Sequence, residues 1–116
     1  KNRWLSSMIK VVVYKSGMRY YGFHVSGHAD MGEYGEDLVC AAVSAIVQTA
    51  ILGITEVCHI SAGVSIEEGD TTCILTKDTA EDEIQRAAIV FDTMIAGLRS
   101  IQSSYPKTLK FRNKEV

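Results

Sequence analysis

The sequence predicts an α/β protein of the α+β type: two layers in the order ββαββαβ, with a mixed sheet and two long helices on one face. Three observations carry this. β-Branched and aromatic residues alternate over Met8–Lys15, Tyr20–Ser26, His59–Ile66 and Thr71–Thr76, the period of strands. Two other stretches, one from Leu38 and one from Asp78, change to helical spacing. The strands come in pairs joined by turn signals, and such pairs stay stable by covering one sheet face with the intervening helices.

The chain has 116 residues, with 47% apolar and 22% charged. That balance excludes a disordered chain and fits one domain, read as residues 8–116. Lys1–Ser7 reads as a leader outside the domain, because Met8 runs straight into the strand pattern of IKVVVY. In the first strand Ile9, Val11 and Val13 share one face, with Lys10, Val12 and Tyr14 on the other. Ser16-Gly17 supplies a turn, and Tyr21, Phe23 and Val25 mark one side of the returning strand.

Gly27–Asp37 has no usable period and contains Gly27, Gly32 and Gly35. It reads as a long loop, with Gly32 and Gly35 as its hinges, and loops of this length in small domains are often functional. From Leu38 a helix is predicted to Val57, with Asp37 as its N-cap. Its core stripe reads Val39, Val43, Ile46, Ala50, Gly53 and Val57. A strand over His59–Ile66 follows, with a bend at Gly63. The turn Glu67-Glu68-Gly69-Asp70 leads to a strand over Thr71–Thr76. Asp78 and Glu81 resemble a capping box for the second helix, whose stripe runs Ile84, Ala88, Phe91, Ile95, Leu98 and Ile101 to a stop at Pro106. Leu109 and Phe111 alternate in a short last strand.

Two residues carry candidate chemistry. Cys40 falls about three positions into the predicted helix, where unpaired amides and the positive end of the helix dipole favour a thiolate. The alternative is a core cysteine. Yet Val39 belongs to the core stripe, and Cys40 is rotated about 100° from it. His28 precedes Cys40 by twelve positions, across the glycine-bearing loop. If the loop folds back, the imidazole can take the thiol proton and return it to a leaving amine. A solvated loop histidine is the competing reading. Ser44, one turn after Cys40, lies on the same helix face, either toward substrate or bonded back to the Cys40 carbonyl. Asp37 caps the helix or orients His28, and Asp30 and Glu36 are further orienting candidates.

Other chemistries fit less well. Cys40, Cys58 and Cys73 are an odd number without paired spacing, which argues against a disulfide framework and for a reducing compartment. Cys58 and Cys73 sit in apolar, strand-like contexts and read as small core residues. The histidines and cysteines match no zinc-ligand spacing, so neither a metal nor another cofactor is expected. Cys40 has no resolving cysteine two residues along, which argues against thiol–disulfide exchange. Leu38–Val57 lacks Lys and Arg, but Ser44, Gln48, Thr49, Thr55 and Glu56 interrupt it, so a buried helix is expected and no membrane partner. With a net charge of −2, no direct nucleic-acid contact is expected, although a local basic patch is compatible with that total.

The stretch SGHA followed by GEYGEDLVCAAVSA resembles the signature of the ribosomal-processing cysteine protease family, Prp. The matching positions are Gly27, His28, Ala29, Gly35, Asp37, Cys40 and Ser44, with no departure among them. In length and element order the likeness extends from Met8 over about the whole chain, the second half adding less. The resemblance implies a cytoplasmic bacterial endopeptidase with a Cys/His dyad, active as a homodimer, with a mobile loop between the two residues. It implies a substrate too: the precursor of large-subunit ribosomal protein twenty-seven, whose short N-terminal extension is removed after an aromatic-containing sequence. Carried over, Cys40 is the nucleophile, His28 its base, and Asp37, Ser44 and Gly27 support the site. The competing class is a non-catalytic ribosome- or protein-binding module.

Overall fold

Ile9, Val11 and Val13 are all buried, as their alternation along the first strand requires. A computed structural model describes residues 8–28 and 32–116, with backbone alone over 32–37. The predicted leader therefore lies outside the described residues. Strand β1 (Ile9–Ser16) turns at Gly17, where φ is +63°, into β2 (Arg19–Ser26). Helix α1 (Gly32–Leu52) and a π-helical turn (Gly53–Val57) lead to the hairpin of β3 (Ala62–Glu67) and β4 (Asp70–Leu75). Helix α2 (Glu81–Ser104) and strand β5 (Leu109–Glu115) complete the chain.

The sheet order is β3-β4-β2-β1-β5. The β1–β5 pair is parallel and the other pairs are antiparallel, so the sheet is mixed as predicted. Both helices lie on the face carrying Val11, Val13, Phe23, Val25 and Cys73, and one apolar cluster joins the two layers. Small residues let the helices approach each other. A Cβ on Gly97 of α2 would stand 3.2 Å from Ile46 of α1, and one on Gly53 3.2 Å from Val90.

Four boundaries differ from the sequence pattern; the third strand begins at Ala62 and not at His59, whose φ of +55° is not that of a strand. Helix α1 begins at Gly32, not Leu38, so Gly32, Gly35 and Asp37 are helix residues and not loop hinges and cap. This added turn and a half is polar and has no apolar stripe to betray it, while Glu33, Glu36 and Asp37 are residue types that a helix N-terminus favours. The buried stripe of α1 is Val39, Val43, Val47, Ala50 and Ile51, continued by Ile54. Val57 is 75% exposed, because the π turn after Leu52 changes the phase that a regular helix would keep. Helix α2 starts at Glu81 after Ala80, whose amide donates to the Glu83 carboxylate. Asp78 instead accepts a hydrogen bond from the Thr76 hydroxyl, in the preceding turn.

The stretch Leu38–Val57 is apolar and long enough to cross a membrane, with mean hydropathy 2.1, and 33% of it is buried here. Its buried stripe packs against the sheet and α2, and its outer side carries Ser44, Gln48 and Thr49.

On the core side, Phe91 of α2 meets the ring of Phe23 edge-on at 5.9 Å and that of Tyr20 at 5.6 Å. The Tyr20 hydroxyl donates to Asp92 at 2.5 Å, tying β2 to α2. That bond, aided by burial and by the carboxylate charge, pushes the Tyr20 pKa up to about 12. A phenol held neutral in this way contributes fully below its ordinary pKa near 10 and loses the contribution as pH rises through 12. Tyr20→Phe should therefore destabilise by about 1 kcal/mol or less at neutral pH. In chemical denaturation, the gap between wild type and variant should stay constant below pH 10 and close between pH 10 and 12.

Candidate active site

The β2–β4 ladder pairs Ser26 with Asp70 and then gains one more bond, from the Gly27 amide to the Gly69 carbonyl at 2.9 Å. Gly27 turns the chain there with φ +95°, and a Cβ on it would stand 2.8 Å from the Met8 carbonyl oxygen. Gly69, in the β3–β4 turn, has φ +72°. Glycine adopts both conformations at little steric cost. The turn at Gly27 lays the His28 ring on Gly69: a Cβ there would stand 2.7 Å from Nε2 and 3.1 Å from Cε1. The hairpin tip is thus the wall on which the imidazole rests.

From the other layer, α1 presents Cys40. Val39 is fully buried and Cys40 is half-buried beside it, as the helical rotation predicts. Cys40 Sγ lies 4.0 Å from His28 Nδ1. With Nδ1 as acceptor, the thiol can donate to the ring, and the ring's own proton then sits on Nε2, the edge that rests on Gly69. The two residues that the sequence singled out are therefore brought together, one from the end of β2 and one from α1.

One expectation fails on geometry. Cys40 stands in the third turn of α1, not the first. Past the first turn, each helix amide donates to the carbonyl four residues back. The amides near Cys40 are thus occupied, and the helix N-terminus lies about 12 Å away along the axis. A dipole-held thiolate therefore does not follow from this helix, nor do free amides lie beside Cys40.

His28 and Cys40 open onto a cleft of about 520 Å³ between α1, the sheet and the hairpin tip. Ser44 and Gln48 follow Cys40 along α1 and line it, with Glu67, Glu68 and Asp70 opposite. Among the described residues Ser44 makes no bond back to its helix, whereas Thr49 and Thr55 bond the carbonyls four residues before them. Ser44 is exposed, so its hydroxyl is available to the cleft. Gly27 also lines the cleft, as the turn that delivers His28. The Asp37 and Glu36 side chains, and all of Asp30, lie outside the described residues, as does Ala29 of the sequence motif.

Sequence reasoning missed Gly69, Gln48 and the acidic hairpin tip as parts of this site. The turn itself was readable, but its closeness to His28 depends on the pairing of β2 with β4, which local pattern does not encode. The remaining cysteines are elsewhere. Cys73 is fully buried and burial pushes its thiol up to about 11, in keeping with a core residue. Cys58 packs partly against the core at the end of the π turn, not in a strand. His24 bonds Asp70 at 2.6 Å.

Known proteins resemble the chain in sequence and in fold. Residues 8–110 match the family model described as cysteine protease Prp. The ribosomal processing cysteine protease Prp of Staphylococcus aureus is 31% identical over 91 residues, 78% of this chain and 83% of that protein. The Bacillus subtilis protein of the same name is 30% identical over 90 residues, 76% and 80% of the two chains. The crystal structure of the S. aureus protease with a covalently linked product peptide superposes with a TM-score of 0.77. It covers 92% of this chain and 100% of its own, at 24% identity. A mixed five-stranded sheet backed by two helices, matched in fold and along most of its sequence, places this chain in the Prp family of ribosomal-processing cysteine proteases.

Proposed function

We propose that this chain cleaves the N-terminal extension from the precursor of large-subunit ribosomal protein twenty-seven, with Cys40 as nucleophile and His28 as general base and acid. The observation that carries this reading is the 4.0 Å approach of Sγ to Nδ1 at the mouth of an open cleft. A thiol needs an adjacent base to become a nucleophile at neutral pH, and an imidazole within hydrogen-bonding reach is such a base.

His28 Nδ1 takes the Cys40 proton, and the sulfur attacks the scissile carbonyl carbon. The carbonyl electrons move to oxygen, giving a tetrahedral anion. Its collapse breaks the C–N bond as the imidazolium returns the proton to the departing amine, leaving a thioester on Cys40. The neutral ring then removes a proton from water, hydroxide adds to the thioester, and the second collapse expels the thiolate and frees the carboxylate product. With the α1 amides occupied, the Ser44 hydroxyl and Gln48 carboxamide are the side-chain donors on this wall suited to the oxyanion. Asp37 is a candidate to orient the ring from the N-terminal part of α1.

The peptide lies along the cleft floor in this reading, with Ile66 offering an apolar surface to an aromatic-containing recognition sequence. The relatives' names, as ribosomal processing proteases, support a ribosomal precursor as the substrate. A homodimeric, cytoplasmic enzyme is part of the same proposal. Support for the dimer comes from the outer groove between α1 and α2, a groove of about 500 Å³ lined by residues that include Ala45, Thr49, Ile89 and Gly97. Ile89 is 69% exposed there, the kind of patch a partner covers.

Three measurements test the proposal. Cys40→Ala should abolish cleavage of a precursor-like peptide followed by mass spectrometry, and His28→Ala should slow it by roughly 10²–10⁴; wild-type turnover in either would refute the dyad. Gly69→Ala should lower kcat more than KM, because its methyl displaces the ring at Nε2 and strains a left-handed backbone by about 1–2 kcal/mol. Ile89→Glu should shift the sedimentation coefficient from dimer to monomer, while Leu38→Glu, exposed elsewhere on α1, should not.

A further inference from the structure

The helices cover one face of the sheet, and the strand registers define what the other face carries. Lys110, Arg112 and Lys114 of β5 pair with Lys10, Val12 and Tyr14 of β1. All six side chains point away from the core, because Leu109, Ile9, Val11 and Val13 alternate with them and are buried. Lys10, Lys110, Arg112 and Lys114 are all exposed. Among the described residues none of the four has an ion-pair partner; the pairs that form are Arg19–Glu81, Arg86–Asp82 and His24–Asp70. Val12 and Tyr14 lie half-buried in the midst of these cations. Across from Tyr14 on β2 stands Gly22, which puts no side chain beside the ring. The acidic groups of this face, Asp70 and Glu67, lie at the opposite side of the sheet on β4 and β3, and Asp70 is engaged by His24.

We propose that this uncovered β1–β5 face binds single-stranded RNA. Alternate residues of β5 set its three cations about 6.6 Å apart in a straight row, a track that a phosphodiester backbone can follow. Tyr14 offers an aromatic face beside the track on which an unpaired base can stack. The flat surface has no helix or projecting ridge to enter a duplex groove, which favours the single strand. An anionic membrane would require several apolar side chains projecting among the cations, whereas Val12 is half-buried between them and the exposed Ile74 stands apart on β4, beyond β2. The net charge of −2 conceals this surface because the acidic residues concentrate on other parts of the chain. The cleft does not take part, so RNA binding is independent of whether Cys40 and His28 cleave a peptide.

The test is fluorescence anisotropy of a labelled uridine oligonucleotide with the full chain, over a salt series beginning at about 50 mM. Wild type should bind, with a log–log salt slope of about −2 to −3 for three or four phosphate contacts. The double variant Lys110→Glu/Arg112→Glu should bind at least tenfold more weakly. The milder Arg112→Ala/Lys114→Ala should reduce the slope by about 0.7 per lost contact. Tyr14→Leu should weaken binding at every salt concentration and leave the slope unchanged. All of these should cleave a short peptide at the wild-type rate. Absence of RNA binding by wild type, or equal binding by the charge-reversed variant, would overturn the proposal. So would binding to phosphatidylglycerol vesicles without binding to the oligonucleotide.

Discussion

The bond from the Gly27 amide to the Gly69 carbonyl is the constraint on which the site depends. It extends the β2–β4 ladder one step beyond the strand and fixes where the chain leaves the sheet. Both residues have positive φ, and both lack the Cβ that would strike a neighbour. His28 therefore leaves a short glycine turn whose direction is set by a sheet hydrogen bond, and the ring comes to rest on the adjacent hairpin. A histidine farther along a loop would lose rotamer and backbone freedom each time it met the sulfur. Here much of that ordering is completed by folding.

The other half of the pair belongs to the second layer. Cys40 is held by α1, and α1 is held by Val39, Val43 and Val47 in the core. The Sγ–Nδ1 separation is thus a distance between layers, set by the packing of aliphatic side chains that touch neither reactive atom. Close-packed interiors transmit small volume changes as shifts of whole elements. A helix displaced by even 1 Å relative to the sheet would take the thiol out of reach of the ring, since 4.0 Å is already the long end of a sulfur hydrogen bond.

Much of this was legible in the sequence because it is local. Alternation gave the strands, and the turn of Ser16-Gly17 and that of Glu67–Asp70 gave both hairpins. The rotation between Val39 and Cys40 correctly separated core from cleft. What escaped was either polar or long-range. The first turns of α1 contain no apolar stripe, so Gly32 and Gly35 read as a loop, and that error put Cys40 in the first turn of the helix and not the third. The contact of Gly69 with His28 joins residues far apart in sequence through strand pairing, which no window along the chain contains. The phase change after Leu52 arises from a π turn and could not be read from a regular period.

Pairing also explains how one small sheet can present two unlike faces. Each strand residue belongs to one face by parity, so β1 gives Ile9, Val11 and Val13 to the core and Lys10, Val12 and Tyr14 to solvent. Parallel pairing with β5 then brings a second set of outward cations alongside the first, whereas a register shift by one residue would have sent them into the core. The reactive cleft lies on the helix-covered side, against the β3–β4 tip at one edge of the sheet; the basic row lies on the open side at the other edge. A strand of RNA held along β5 would leave the cleft open. Under the proposed RNA binding, a chain with a net negative charge would meet a nucleic acid by one face and a peptide by the other.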